Sequence, residues 1–234
     1  MKKSNLYYWT GIAGIAMYAL GMIEIPLYFI YSGPPPVENI LTRVLINMFA
    51  CVGLIGFISG FRSIIVQTNP VYKGLGSFIF SIGFAYAILT YVADSIQVGS
   101  VWVSKIPIDP TLVGAGGEGA LLIYGPIDRL LTTVLLVACG LAIIMTRIIP
   151  IWTGWLACLV SVCHIAPVPT IFYMSEPSDF FSANGWNIPI AGGLFLIWVM
   201  IVSIFLVRKK SKEKLTSTTS TNRGYGAAFL DPAN

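Results

Sequence analysis

Six apolar stretches, each long enough to cross a lipid bilayer, dominate this sequence. A helix spans about 30 Å of hydrocarbon with about 20 predominantly apolar residues. Strands of a membrane barrel would instead alternate in polarity over segments of about ten residues, a pattern that this sequence lacks. We therefore predict an all-α integral membrane bundle of six transmembrane helices. The expected bounds are Leu6–Tyr31, Val44–Val66, Leu75–Gln97, Leu121–Met145, Ile151–Tyr173 and Ile188–Val207.

Charged residues are scarce, and their scarcity disfavours several classes of protein. Of the 234 residues, 56% are hydrophobic and 10% are charged, whereas an average soluble domain is about 25% charged. The 14 basic and 10 acidic residues are too few to solvate a soluble surface around so many apolar side chains. A soluble enzyme, a nucleic-acid-binding protein and a disordered chain are therefore all disfavoured.

The basic residues fall mainly on one side of a six-helix arrangement, which predicts the orientation of the chain. Lys and Arg are retained on the cytoplasmic side of a membrane. Only Arg43 and Lys105 fall in loops on the other side. We therefore expect a multi-pass protein of the plasma (inner) membrane with both termini in the cytoplasm. The basic residues on the cytoplasmic side are Lys2, Lys3, Arg62, Lys73, Arg147, Arg208, Lys209, Lys210, Lys212, Lys214 and Arg223.

Composition divides the chain into two parts. Residues 1–210 are expected to form the six-span domain, and residues 211–234 a cytoplasmic tail that is first basic and then rich in Ser and Thr. Such a tail is typical of disorder. Its basic boundary would attract anionic lipid of the inner leaflet, at roughly 1 kcal/mol per charge, or would serve only as a stop-transfer anchor. The boundary residues are Arg208, Lys209, Lys210, Lys212 and Lys214.

Ionisable residues interrupt four of the apolar stretches and are the main indication of function. A charge at the middle of a membrane helix costs about 2.5–3.5 kcal/mol on insertion scales, so such residues are candidates for a functional site. When the helices are given alternating directions, all of these residues fall in the outer half of the membrane. They are Glu24, Asp94, Asp128, Arg129 and His164.

Polar and aromatic side chains share helix faces with these residues. Residues four positions apart lie on one face of a helix, and two such polar stripes are Tyr86, Thr90, Asp94 and Tyr124, Asp128, Thr132. The stripes predict a polar pocket inside the membrane that opens outward. The expected ligand-binding residues are Glu24, Tyr28, Tyr91, Asp94, Tyr124, Asp128, Arg129 and His164.

Two of the open interpretations assign this pocket a small molecule. In the first, the pocket binds a small amphipathic or lipid-like ligand, with tyrosines as walls and with Arg129 and His164 orienting a polar head. In the second, the protein is an integral-membrane enzyme whose carboxylates perform acid/base chemistry on a lipid or isoprenoid-like substrate. The candidate catalytic residues are Glu24, Asp94, Asp128 and His164.

Two further interpretations need no such ligand. The protein could be a small proton-linked transporter, which at six spans would work as a homodimer through a Gly56/Gly60 face. Alternatively, Arg129 pairs with Glu24 or Asp94 and the polar residues only hold the bundle together. The residues alone leave these interpretations open.

Two patterns suggest bound groups that other features argue against. Gly114, Gly116 and Gly119 have the spacing of dinucleotide-binding glycines. That fingerprint needs a preceding strand, and here an outer loop leads into a membrane helix. The four cysteines lie in apolar stretches without a C-x-x-C pair, and His164 is the single histidine. We therefore expect neither a cofactor nor a bound metal ion.

A resemblance to a known family lies around the fourth and fifth apolar stretches. The resemblance rests mainly on the segment Thr146–Ala157, in which an arginine precedes the pattern Pro-x-Trp-x-Gly-Trp-Leu. It rests secondly on the segment Tyr124–Arg129. In this region the chain resembles a family of uncharacterised bacterial polytopic membrane proteins, of the domain-of-unknown-function kind. The resemblance implies a bacterial inner-membrane location and no particular activity.

Overall fold

Seven α-helices account for most of the chain that the structure describes. The computed structural model describes residues 3–31, 35–104, 118–172 and 187–227, with side chains for residues 5–31, 35–102, 119–172 and 187–209. Pro70–Tyr72 and Val168–Phe172 form 3₁₀ turns, and Ile123–Ile127 forms a π-helical turn. No strand occurs within these four ranges. The helices are α1 (Lys3–Leu27), α2 (Val37–Thr68), α3 (Lys73–Ser104), α4 (Glu118–Leu122), α5 (Asp128–Thr146), α6 (Trp152–Ile165) and α7 (Asn187–Ala227).

Six helical stretches in the described ranges are long and apolar enough to span a membrane, which confirms the predicted all-α bundle of six transmembrane helices. The fourth stretch combines the short α4, the π-helical turn and α5. The six spans are Asn5–Leu27, Val37–Thr68, Pro70–Trp102, Gly119–Thr146, Trp152–Phe172 and Asn187–Lys209.

The second span begins earlier than the apolar pattern predicts. α2 starts at Val37 rather than at Val44, directly after Pro36, whose backbone is extended (φ −62°, ψ 154°). Proline fixes its own φ and has no N–H to donate, so it suits the residue before a helix. As a result Arg43, expected in an outer loop, lies within α2 and is only 3% exposed.

The six spans form a closed ring. Each packs against its neighbours in sequence: α1 on α2, α2 on α3, α3 on α5, α5 on α6 and α6 on α7, while α7 returns to α1. Short connections, Asn69–Tyr72 between α2 and α3 and Arg147–Ile151 between α5 and α6, lie at one end of the ring, here called the connection end. Neighbouring spans therefore run antiparallel, and the starts of α2, α4 and α7 share the opposite end.

From its middle toward the connection end, the centre of the ring is filled mainly by apolar side chains. Phe57, Phe61, Leu135 and Leu136 belong to one cluster of buried side chains, and each is at most 2% exposed. Large apolar side chains such as Trp9 also face outward, as expected for helices surrounded by lipid chains. The bundle is therefore apolar both at the centre of this half and on its outer surface.

The Gly56/Gly60 face of α2 lies against α1 of the same chain. A Cβ built on Gly60 would overlap Oγ1 of Thr10, and one on Gly56 would lie 3.3 Å from Cβ of Ala13. Small residues at such positions let helix backbones approach closely. These glycines therefore let α1 and α2 pack closely within the chain, while Gly56 itself stays exposed beside that contact. The homodimer through this face stays a prediction.

The last helix extends beyond its membrane span. α7 continues to Ala227 and is described by its backbone alone after Lys209. The helix thus enters the segment 211–234, for which composition predicts disorder. The division into a domain of residues 1–210 and a tail remains a prediction.

Gly154→Ala is expected to destabilise the crossing of α5 and α6. The added Cβ would lie 2.8 Å from the carbonyl oxygen of Gly140, a backbone atom that cannot rotate away. Overpacking of this kind costs about 1–3 kcal/mol, which a lower melting temperature in detergent would register. Gly99→Ala is the matched control, because a Cβ there meets no atom within 4 Å. Equal melting temperatures of the two variants would contradict this close approach.

Candidate functional site

A cavity of about 420 Å³ lies inside the ring at the end opposite the connections. Its volume falls in the range of roughly 300–1,000 Å³ that is typical of small-molecule sites. All six spans contribute to its wall. Apolar lining residues include Met17, Ile25, Leu121, Ile188, Phe195 and Leu196. Polar lining residues include Glu24, Asn47, Tyr86, Thr90, Gln97, Asp128, Arg129, Thr132 and His164.

The structure brings most of the expected ligand-binding residues to this cavity. Glu24, Tyr28, Tyr124, Asp128, Arg129 and His164 all line it. Asp94 lies behind the wall, where it contacts the lining residues Tyr124 and Asn47. Tyr91 is not part of the wall. Its hydroxyl donates to the carbonyl oxygen of Met48 on α2 at 3.0 Å, and Tyr86 of the same helix lines the cavity instead.

Asp94 is the centre of a cluster that joins three spans. It is 3% exposed, and the hydroxyl of Tyr124 donates to its Oδ1. The side-chain amide of Asn47 donates to both of its oxygens at 3.2 Å. A buried carboxylate needs such donors. Asp94 therefore links α2, α3 and the π-helical turn, and its oxygens are already engaged within the protein.

The π-helical turn reshapes the fourth span beside the cavity. Gly125 has a non-helical backbone (φ −88°, ψ −110°), and Pro126 follows within the turn. Proline removes one helical hydrogen bond and its ring crowds the preceding turn, so a kink arises here. Single π-helical turns are frequent at functional sites. Tyr124 lies within the turn and Asp128 follows it directly, so the kink lies beside both side chains.

Asp128 and Arg129 both reach the cavity although they are neighbours on one helix. Adjacent residues point about 100° apart on an ideal helix, so the sequence predicts that they diverge. Each is 6% exposed and lines the cavity. Arg129 reaches across to α7, where its Nη2 donates to the carbonyl oxygen of Ile188 at 2.9 Å. Among the described residues it forms no hydrogen bond with Glu24 or Asp94, the partners that the structural interpretation assigns to it.

His164 anchors α6 to α7 at the cavity wall. The ring is 1% exposed, and Nε2 donates to the carbonyl oxygen of Ala191 at 2.9 Å. Phe195 meets the imidazole edge-on, with ring centroids 6.3 Å apart. Because Nε2 carries the proton in this contact, Nδ1 of the neutral imidazole is an acceptor. This Nδ1 atom is buried and has no hydrogen-bond partner.

Glu24, Tyr28 and Arg43 form a second polar group where α1 ends and α2 begins. The hydroxyl of Tyr28 donates to Oε1 of Glu24 at 3.1 Å. The guanidinium carbon of Arg43 lies 4.1 Å from the centroid of the Tyr28 ring, a cation–π contact. Arg43 was missed because its helix begins earlier than the apolar pattern predicts. Asn47 was missed because it is uncharged, although an amide in an apolar stretch was a usable signal.

Three polar atoms on residues of the cavity wall have no hydrogen-bond partner in the protein. They are Oδ1 of Asp128, Nε of Arg129 and Nδ1 of His164. Leaving a buried donor or acceptor unpaired costs about 1–3 kcal/mol. These atoms belong to wall residues but are themselves buried, so a ligand in the cavity could pair with them only after the side chains turn toward it.

The described residues contain no group of three or more His, Cys, Asp or Glu side chains that could hold a metal ion. The cysteines among them, Cys51, Cys139, Cys158 and Cys163, are free. Of the dinucleotide-like glycines, Gly114 and Gly116 lie outside the described residues. Gly119 lies in α4 on the fourth span.

Tyr124→Phe is expected to destabilise the protein more than Tyr91→Phe. The first change keeps the ring but removes a donor from the buried carboxylate of Asp94, at a cost of about 1–3 kcal/mol. The second removes a hydroxyl that donates to a backbone carbonyl near the surface of the bundle, where we expect less than about 1 kcal/mol. Thermal unfolding in detergent measures both. A Tyr91→Phe effect as large as that of Tyr124→Phe would contradict the role of the Asp94 cluster.

The resemblance of the region around the fourth and fifth spans to uncharacterised bacterial membrane proteins stays a prediction. No family model, no curated protein and no solved structure matches the chain.

Proposed function

We propose that this multi-pass membrane protein binds a small amphipathic, lipid-like ligand in the cavity at one end of its helix ring. The observation that carries the proposal is a cavity of about 420 Å³ whose wall is largely apolar and yet contains the polar side chains of Glu24, Asp128, Arg129 and His164. Small-molecule sites combine an apolar wall with a few convergent polar groups. An amphipathic molecule matches both parts of this wall.

The packing of the other half of the ring favours binding over transport. Phe57, Phe61, Leu135 and Leu136 fill its centre with buried apolar side chains. A proton or solute pathway needs polar groups or water along its whole length. Among the described residues, the buried polar side chains of this half are hydroxyls, and none of them is ionisable: Thr10, Thr153 and Ser203. We therefore propose a binding site that is open toward one side of the membrane.

Gly192→Leu is expected to reduce ligand binding without loss of fold. Gly192 lines the cavity, and a Cβ there meets no atom within 4 Å, so a larger side chain would occupy ligand space. Native mass spectrometry of the protein released from membranes would measure the lipid-like molecules that remain bound. We expect fewer of them on Gly192→Leu than on the original protein.

Gly193→Leu is the matched control for this experiment. It adds the same side chain one position along α7, at a glycine that is not part of the cavity wall and whose Cβ also meets no atom within 4 Å. Melting temperatures of both variants check that they are folded. Equal retention of bound molecules by Gly192→Leu and Gly193→Leu would overturn the proposed function.

We further propose that both termini are cytoplasmic and that the membrane is a bacterial inner membrane, so that the cavity opens outward. Basic residues at the connection end, among them Lys73, Arg147 and Lys209, support this orientation through the positive-inside rule. The basic boundary Arg208–Lys214 would then face anionic lipid. Lys209 is already engaged, because its ammonium donates to the carbonyl oxygen of Ile148 at 2.8 Å and lies 4.9 Å from the centroid of the Tyr7 ring.

Reporter fusions are expected to show the cytoplasmic location of the C-terminus. Alkaline phosphatase folds and is active only outside the bacterial cytoplasm. Fused after Asn234 it should be inactive, whereas fused after Tyr31, beyond the first span, it should be active. The reverse pattern of activity would mean that the cavity opens toward the cytoplasm.

A further inference from the structure

We propose that the ligand of the cavity carries a protonated amine as its polar head, an inference that rests on the proposed binding function. The ligand class is an apolar chain that ends in an ammonium group. Charge, hydrogen-bonding capacity and aromatic content of the described wall all point to this head group.

The charges on the wall leave one carboxylate without a cationic counterpart. Glu24 and Asp128 line the cavity, and among the described lining residues only Arg129 carries a fixed positive charge. Behind the wall, Asp94 and Arg43 add one charge of each sign, so the excess of one carboxylate persists. A carboxylate that is shielded from water is costly unless a cation accompanies it. An ammonium head would supply that cation. An anionic head would be repelled by the same carboxylates, and Arg129 would be its only cationic partner among the described lining residues.

Two unpartnered acceptors belong to residues of the wall, and both are buried: Oδ1 of Asp128 and Nδ1 of His164. The unpartnered donors nearby are Nε of Arg129 and, behind the wall, Nε and Nη2 of Arg43. An ammonium group offers three N–H donors and no acceptor. Arg129 already donates through Nη2 to Ile188. An ammonium head would donate to these two acceptors once the side chains of Asp128 and His164 turn toward it, and hydrogen bonds with charged partners are the stronger ones.

Aromatic rings around the polar wall suit a cation as well. Tyr28, Tyr86, Tyr124 and Phe195 all line the cavity. The face of an aromatic ring attracts cations within about 6 Å of its centroid, most strongly where water is excluded. Tyr28 already holds the Arg43 guanidinium in this way, with the guanidinium carbon 4.1 Å from the ring centroid. Phe195 already stacks on Trp198 and meets His164 edge-on, so Tyr86 and Tyr124 are the rings of this wall that we assign to a ligand cation.

Isothermal titration of the full-length protein in non-ionic detergent tests the inference with three probes of equal chain length: octylamine, octanoate and octanol. Protein-free micelles provide the background. We expect binding of octylamine to be at least about tenfold tighter than that of octanoate or octanol, because one charge-assisted hydrogen bond accounts for a difference of this size. Asp128→Asn and, independently, Glu24→Gln should each weaken octylamine binding by about tenfold.

Glu38→Gln is the matched control, since Glu38 is an exposed carboxylate in the first turn of α2, at the same end of the ring but not part of the cavity wall. It should leave octylamine binding unchanged. The two cavity variants act at different helices, so the loss of fold in one still leaves the other as a test. Unchanged octylamine binding in a folded cavity variant, or an equal loss in Glu38→Gln, overturns the inference.

A second experiment distinguishes a phospholipid head group from a single-chain amine as the source of the ammonium group. In this competition experiment, phosphatidylethanolamine or phosphatidylcholine is added to the protein with octylamine bound. Phosphatidylethanolamine has a primary ammonium, and phosphatidylcholine has no N–H donor. Displacement by phosphatidylethanolamine alone identifies a phospholipid head group, and displacement by neither identifies a single-chain amine; both outcomes support the ammonium class. Tighter binding of octanoate or octanol than of octylamine overturns the inference and leaves the proposed function intact. Binding of none of the three probes overturns the proposed function itself.

Discussion

A carboxylate that cannot reach water determines how the cavity end of this bundle is assembled. A charge inside a membrane helix costs about 2.5–3.5 kcal/mol on insertion scales, and Asp94 meets that cost with donors from Tyr124 and Asn47. Because these residues lie on three different spans, the hydrogen bonds to this one carboxylate set the relative position of α2, α3 and the π-helical turn. The cavity wall is built on the helices that this cluster joins.

The polar residues at this end divide between two tasks. Arg129 and His164 each donate to a backbone carbonyl in the first turns of α7, at Ile188 and Ala191. These contacts attach the last helix to α5 and α6. Glu24 and Asp128 instead present carboxylates on the wall. The groups that hold helices together and the groups that remain for a ligand are therefore neighbours, and a substitution at either set affects the same cavity.

Much of the fold follows from the sequence, because a membrane demands long apolar helices and their number can be counted directly. The convergence of Glu24, Asp128 and His164 also follows, since alternating helix directions bring their depths together. Which side of a helix faces the centre does not follow from depth. Tyr91 is one turn from Asp94 and yet packs on α2, and Arg129 reaches the cavity beside Asp128 only because its side chain is long and α7 offers a carbonyl. Asn47 and Arg43 were missed because one is uncharged and the other lies in a helix that starts earlier than hydropathy indicates.

The closure of the ring by α7 against α1 has a consequence for the order in which the chain matures. Chains are synthesised from the N-terminus, so α5 and α6 enter the membrane before α7 exists. Until then, Arg129 and His164 lack the carbonyl oxygens that they contact in the finished bundle, and α1 lacks one of its two neighbours. The cavity wall is therefore among the last parts to form. A chain interrupted before α7 would hold unpaired polar groups in lipid, a state that cellular quality control can recognise as incomplete.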